Sequence, residues 1–188
     1  MSHPVALLDA CVLYPQMLRD ILITLACSGF FQAKWSAKIN DEWVRYLLSK
    51  NPGRDQQISR TLKLLVCSIE DWAIENYDHL IETIVLPDSN DRHVLAAAIH
   101  ASVDCIVTLN LTDFPAEILQ TYGIVAQSPD TFVTSLIENA VEPACESLGS
   151  LRKRYRNPEM TPEQFLASLS RKGLHQTVAV LRQRIDLI

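Results

Sequence analysis

Four carboxylates stand where apolar runs of this chain end or turn: Asp9, Glu42, Asp91 and Asp113. Asp9 closes the run Val5-Ala6-Leu7-Leu8, and Asp113 follows Cys105-Ile106-Val107-Thr108-Leu109-Asn110. Acids just past the carboxyl ends of parallel strands point into the crevice where open α/β sheets bind ligands. Several acids converging there, with no Lys in the same motifs, would hold a hard divalent cation. Metal held by carboxylates is a recurrent means of cutting phosphodiesters.

Each acid also has a structural reading. Asp9 suits a loop cap. Glu42 shares a helical face with Ile39 and Tyr46 and could pair with Arg45 three residues on, although Asp41 suits Arg45 better at a spacing of four. Asp88 followed three residues later by Asp91 resembles a capping box at a helix start. Asp88 is therefore read as the cap and less certain partner, and Asp91 as the ligand. Asp113 could cap a helix near Pro115, with Asn110 placed to orient an acid or a water. The joint pattern favours a site, because two acids follow buried strands and two lie near the starts of packed helices.

Other chemistries lack their residues. There is no Gly-x-Ser-x-Gly, no Gly-x4-Gly-Lys and no Gly-x-Gly-x-x-Gly, and the chain has five glycines in all. The five histidines (His3, His79, His93, His100 and His175) show no metal-ligand spacing. His93 beside Asp91 reads as a packed or surface residue before it reads as a substrate contact.

The elements that would position the acids alternate between strand and helix. Val5–Leu8 reads as a buried strand, and a helix follows over about 16–27, with Leu18, Ile21, Leu22 and Leu25 at helical spacing and Gly29 as its stop. A second strand is expected over 30–34. Ser36 then caps a helix carrying Ile39, Trp43, Tyr46 and Leu47, and another helix spans about 55–67. The stretch 68–86 reads as a short helix and then a strand-like piece at 84–86. A helix follows Asp88-Ser89-Asn90-Asp91, and 105–109 is the clearest strand. A helix over 115–122 stops at Gly123, 124–126 is the last strand, and Ser128-Pro129 opens a further helix. This alternation implies a parallel sheet covered on both faces. Past Asn139, prolines at 143, 158 and 162 punctuate three helical pieces, about 143–155, 161–171 and 174–185. We therefore expect a sheet domain over 1–139 and a helical extension over 140–188.

With 188 residues and 48% hydrophobic content, the chain is long and apolar enough for a core. Its five cysteines (Cys11, Cys27, Cys67, Cys105 and Cys145) form no Cys-x-x-Cys pair, so the expectation is buried, reduced thiols in a cytoplasmic protein. The N-terminus lacks the pattern of a secretory signal, and no segment is long enough for a membrane span. The net charge of -5 hides an asymmetry: residues 150–188 hold eight basic and three acidic side chains. The simplest reading of that tail is a solvated helical surface, and a polyanion-binding arm is the alternative.

The motifs resemble a known family. Leu7-Leu8-Asp9-Ala10-Cys11-Val12-Leu13-Tyr14-Pro15 is similar to the opening of PIN-domain nucleases, and Trp35-Ser36 through Asp41-Glu42-Trp43 to their second motif. The segment from Leu86 to Ala98 is similar to the third, and Thr108-Leu109-Asn110-Leu111-Thr112-Asp113-Phe114-Pro115 to the fourth. Order and spacing cover roughly residues 5–135, and Arg19-Asp20 on the first long helix resembles the VapC-type toxin branch.

That resemblance implies a three-layer α/β/α sandwich and an endoribonuclease using Mg2+ or Mn2+ held by Asp9, Glu42, Asp91 and Asp113. It also implies an RNA substrate, a homodimer and a cognate antitoxin. Arg19, Arg92 and the basic tail are candidates for RNA-phosphate contacts. Two alternatives stay open: a PIN-like module that binds RNA or protein without cutting, and a phosphate-monoester hydrolase. The usual second Asp of the latter would stand where Cys11 does.

Overall fold

The computed structural model describes residues 3–188. A strand β1 (Val5–Leu8) leads through a single turn α1 (Ala10–Leu13) into α2 (Gln16–Cys27), and β2 (Gln32–Ser36) leads into α3 (Ala37–Lys50) and α4 (Asp55–Ser68). A two-residue strand β3 (Ala73–Ile74) precedes α5 (Asp78–Ile81), then a 3-10 turn over Ser89–Asp91 feeds α6 (Arg92–His100). After β4 (Cys105–Val107) come a 3-10 turn at Leu111–Asp113, α7 (Ala116–Leu119) and β5 (Val125–Gln127). Four helices finish the chain: α8 (Pro129–Asn139), α9 (Val141–Arg152), α10 (Pro162–Ser170) and α11 (His175–Arg182).

All described strand pairs are parallel, in the order β3-β2-β1-β4-β5. Parallel neighbours need crossovers, and helices supply them, so both sheet faces are covered. That is why Ala6, Leu7, Leu8, Ile106 and Val107 form unbroken buried runs without alternation. The order reverses direction between β1 and β4, the topological switch point where such sheets open a crevice at their carboxyl ends. Asp9 follows one of these two strands and Asp113 follows the other.

Local signals set most boundaries. Ser36 Oγ accepts from Ile39 N (3.3 Å), turning β2 directly into α3. Ser128 Oγ accepts from Thr131 N (3.1 Å) with Pro129 in the first turn of α8. Gly123 takes the left-handed conformation, φ +71°, that ends the turn before β5. Ala96, Ala97 and Ala98 are fully buried, and their small side chains bring α6 close to the sheet.

The region 68–86 corrects the expectation. Its strand comes first, at 73–74, where Trp35 N donates to Trp72 O (2.9 Å) and lengthens the β2 edge. Residues 84–86 are irregular: buried Ile84 and Leu86 around exposed Val85 mimic strand alternation while only anchoring a loop. The second strand also begins two residues later than expected, at Gln32. The cysteines divide too. All five are free, with Cys105 and Cys145 buried and Cys11 half-buried, but Cys27 and Cys67 are exposed at the ends of α2 and α4. Apolar neighbours in sequence did not imply burial, because both fall on the outer side of a helix end. The signal-segment expectation rests partly on Met1 and Ser2, which lie outside the described residues. No described helix is long and apolar enough to cross a membrane.

The last helices pack onto the sheet layers. Leu148, Leu151, Phe165, Leu169 and Leu181 belong to the same continuous hydrophobic core as β1 and β4. Tyr155 donates its hydroxyl to Asp20 Oδ2 (2.7 Å), and Arg154 donates to Thr24 Oγ1 (2.5 Å), fastening the end of α9 to α2. Asp130 on α8 accepts from the backbone N–H groups of Gln176 and Thr177, both at 2.9 Å, and so caps α11 from another element.

Candidate active site

Asp9 is held at the switch point from two directions. Its backbone N donates to Val107 O (3.2 Å), which carries the β1–β4 ladder one step past the strand. Its side chain does not cap α1 and is 5% exposed. Oδ2 instead accepts from Thr108 Oγ1 at 2.7 Å and from Cys11 Sγ at 3.0 Å. Leu109 N donates to Cys11 Sγ (3.1 Å) and Asn110 N to Thr108 Oγ1 (3.0 Å), so the strand ends are sewn together around the carboxylate. Burial, and next the Asp9 charge, push the Cys11 thiol up to about 12. It therefore stays protonated and serves as a hydrogen-bond donor, with no nucleophilic character.

Asp91 lies at the junction of the 3-10 turn and α6, half-buried. Burial first, then the negative charges of Asp9, Asp88 and Asp113, push its carboxyl up to about 6, with His93 opposing. Acids from three separate stretches of chain thus act on one group. Asp113 is half-buried in the turn after β4. Asp88 is exposed and its Oδ1 accepts from Asn90 N (2.8 Å), so it is the cap that the sequence suggested while adding charge to the cluster.

Glu42 is tied in differently. Its Oε1 accepts from His93 Nε2 at 2.8 Å, and His93 is 1% exposed. Neither Arg45 nor substrate is the partner of these two residues; they partner each other. The link fastens α3 to α6, two residues from Asp91. Glu42 is joined to the neighbourhood of Asp91 through His93, which stands two residues along the chain from it.

The other candidates separate. Arg19 is 7% exposed, donates from Nη1 to Leu13 O (2.6 Å) and Tyr14 O (3.3 Å), and stacks over the Trp43 ring at 5.5 Å. Its guanidinium is turned inward and engaged by these carbonyls. The carbonyls left open at the end of α1 need a donor there, and the guanidinium supplies it. Arg92 is half-buried, with a buried Nε lacking a partner among the described residues. Asn110 is exposed, and only its backbone N engages the site; Thr108 orients the acid in its place. The contacts of Thr108 and Cys11 with Asp9 are ones that reading the sequence missed. Thr108 stood in plain view at the end of the clearest strand, but its significance depends on that strand lying beside β1.

The donor set suits a hard divalent cation, since Asp9, Asp91 and Asp113 offer oxygen alone. Among the described residues no three His, Cys, Asp or Glu side chains stand close enough together to hold a metal ion. Burial raises the Asp91 carboxyl most, and the neighbouring carboxylates, which repel one another without a counterion, add to it. The chemistry of the donors fits the cation, while the arrangement of the side chains does not by itself make a cation site.

The chain belongs to the PIN-domain family, whose pattern matches residues 5–112. Residues 129–183 match a second family, described as the VapC50 C-terminal domain. The chain is 37% identical over 79 residues to a protein of Mycobacterium tuberculosis (strain ATCC 25618 / H37Rv) named putative ribonuclease VapC50. That similarity spans 42% of this chain and 47% of the relative. No solved structure matches the chain. Asp113 lies one residue beyond the matched PIN segment, yet it acts on Asp91 with the others.

Proposed function

We propose that this protein is a metal-dependent endoribonuclease, the toxin of a toxin–antitoxin pair, working in the cytoplasm. The observation that carries the reading is Asp9, buried at the carboxyl end of β1 beside β4, with Asp113 in the turn after β4 and Asp91 within range of both charges. The name of the M. tuberculosis relative supports ribonuclease activity and the VapC assignment. A homodimer and a cognate antitoxin follow from that assignment. Residues 1–139 form the nuclease part in this proposal, and 140–188 a helical extension of it.

Asp9, Glu42, Asp91 and Asp113 would hold one or two Mg2+ or Mn2+ ions. Such an ion lowers the pKa of a bound water and stabilises negative charge developing on a phosphate. The protein's part is positioning. Thr108 and Cys11 fix Asp9 through one oxygen, Oδ2, and leave Oδ1 without a protein donor among those described. His93 fixes Glu42 through Oε1 in the same way. Locked carboxylates spare the site the entropy of ordering them when substrate arrives. Asp91 must be ionised to act as a ligand, so proton and cation compete for it and metal affinity should weaken as pH falls toward about 6. Arg92 beside Asp91 is the remaining candidate for a phosphate contact, and Asn110 for a contact to substrate.

The test incubates purified protein with single-stranded and structured RNAs, with and without Mn2+, beside Asp9→Asn and Asp91→Asn. Metal-dependent cleavage by the wild type alone is the expected result. Equal cleavage by all three proteins would remove these acids from the reaction. Binding without cleavage would leave an RNA-binding module.

A further inference from the structure

Among the described residues Arg19 is the only Lys or Arg that is buried. No Asp or Glu of those residues forms an ion pair with it. The adjacent Asp20 is engaged elsewhere, its Oδ2 accepting from the Tyr155 hydroxyl at 2.7 Å. A buried cation without a carboxylate partner is costly, and an apolar side chain of similar length would fill the space at lower cost. The guanidinium is held instead by the carbonyls of Leu13 and Tyr14 and by the face of the Trp43 ring.

Those contacts join the elements that carry two of the acids. Helix α1 is the turn directly after Asp9, closed by Val12 N on Asp9 O (3.1 Å) and Tyr14 N on Ala10 O (3.2 Å). Arg19 grips the far end of that turn. Trp43 stands next to Glu42 on α3 and is fully buried. Its Nε1 donates to Asn40 Oδ1 (2.9 Å), which fixes the ring that the guanidinium faces.

The sheet does not make this connection. The register of β1 on β2 ends at Leu7 and Lys34, before either acid is reached. His93 ties Glu42 to α6, on which Asp9 does not lie. Arg19 therefore relates the turn of Asp9 to the helix of Glu42 from a third element, α2. The task suits Arg: a Lys could donate to the carbonyls, but it has no planar face to set against the ring.

We infer that Arg19 is a positioning residue for the metal-dependent reaction, clamped between the end of α1 and Trp43 so that Asp9 and Glu42 keep one separation. This rests on the ribonuclease reading above. Arg19 touches neither RNA nor cation. It acts through the backbone of α1 and the ring of Trp43, and what it sets is the affinity of the carboxylates for the ion.

The experiment compares the full chain with Arg19→Met, which keeps an extended side chain without charge, and Arg19→Lys, which keeps charge and a donor. Mn2+ affinity is measured by calorimetric titration, and kcat and KM for RNA cleavage are measured in Mn2+. Melting curves in EDTA give the folded fraction to which each value is referred. Arg19→Met should bind Mn2+ about tenfold more weakly and lose kcat about tenfold, with KM for RNA unchanged. Arg19→Lys should fall between the two. Wild-type Mn2+ affinity and kcat in folded Arg19→Met overturn the positioning role and leave the ribonuclease standing. A rise in KM alone also overturns it, because that is the mark of a substrate contact. Failure of both variants to fold overturns it too and assigns Arg19 to the core. A wild type that neither binds Mn2+ nor cuts RNA overturns the ribonuclease reading as well.

Discussion

Thr108 donates its hydroxyl proton to Asp9 Oδ2 at 2.7 Å, joining residues 99 apart in sequence across the β1–β4 seam. The same oxygen of Thr108 accepts from Asn110 N, so its orientation is settled from both sides. Groups that orient a metal-binding carboxylate typically matter ten- to hundredfold for metal affinity or activity. Thr108→Val keeps the branched shape and removes the donor. It is expected to weaken Mn2+ binding about tenfold or more, with Thr108→Ser close to wild type. Calorimetric titration of Mn2+ measures this, and unchanged affinity in Thr108→Val would assign the hydroxyl a packing role.

Asp91 gives a pH dependence whose sign can be worked out. Its carboxyl titrates near 6 when folded, against an ordinary 3.8, so the native state binds the proton more tightly. Stability of the metal-free protein should therefore fall as pH rises from about 4 to about 6 and stay lower above that. Asp91→Asn abolishes this drop. In EDTA near pH 7.5 it should stabilise the protein by on the order of 1 kcal/mol, allowing for partial solvent screening, while removing activity. Thermal melts of both proteins across that pH range decide the matter. A variant no more stable than wild type would mean that the acids do not strain the apo site.

A cation that relieves the same repulsion should raise the melting temperature. At a Mn2+ concentration about a hundredfold above its Kd, the linkage amounts to about 2.7 kcal/mol. Asp113→Asn should reduce this stabilisation. The comparison is a pair of melting curves with and without Mn2+ for each protein, and identical responses would take Asp113 out of the cation site.

Asp130 holds α11 from α8, with Gln176 N and Thr177 N at 2.9 Å and Thr177 Oγ1 also at 2.9 Å. Its loss uncaps that helix and leaves the N–H groups of Gln176 and Thr177 without their acceptor. Asp130→Ala should destabilise the protein by about 2 kcal/mol. Urea denaturation measures the change, and activity per folded molecule should persist because the carboxylates are untouched.

Much of this molecule is written locally. The helix over 16–27, the Ser36 and Ser128 caps and the Gly123 stop all act through neighbours within a turn or two, and the structure has each of them. The alternation of strands and helices, and the placing of acids at their ends, were legible for the same reason. Partners were not. Glu42 meets His93 instead of Arg45, Arg19 turns inward onto Trp43 and open carbonyls, and Thr108 takes the orienting place that Asn110 seemed to hold. The two-residue β3 exists only because β2 offers it an edge. Periodicity and capping are short-range properties, carried by residues a few positions apart. Which strand lies beside which depends on closing long crossovers over a shared core, and that adjacency brings Asp9, Asp91 and Asp113 within reach of one another's charge.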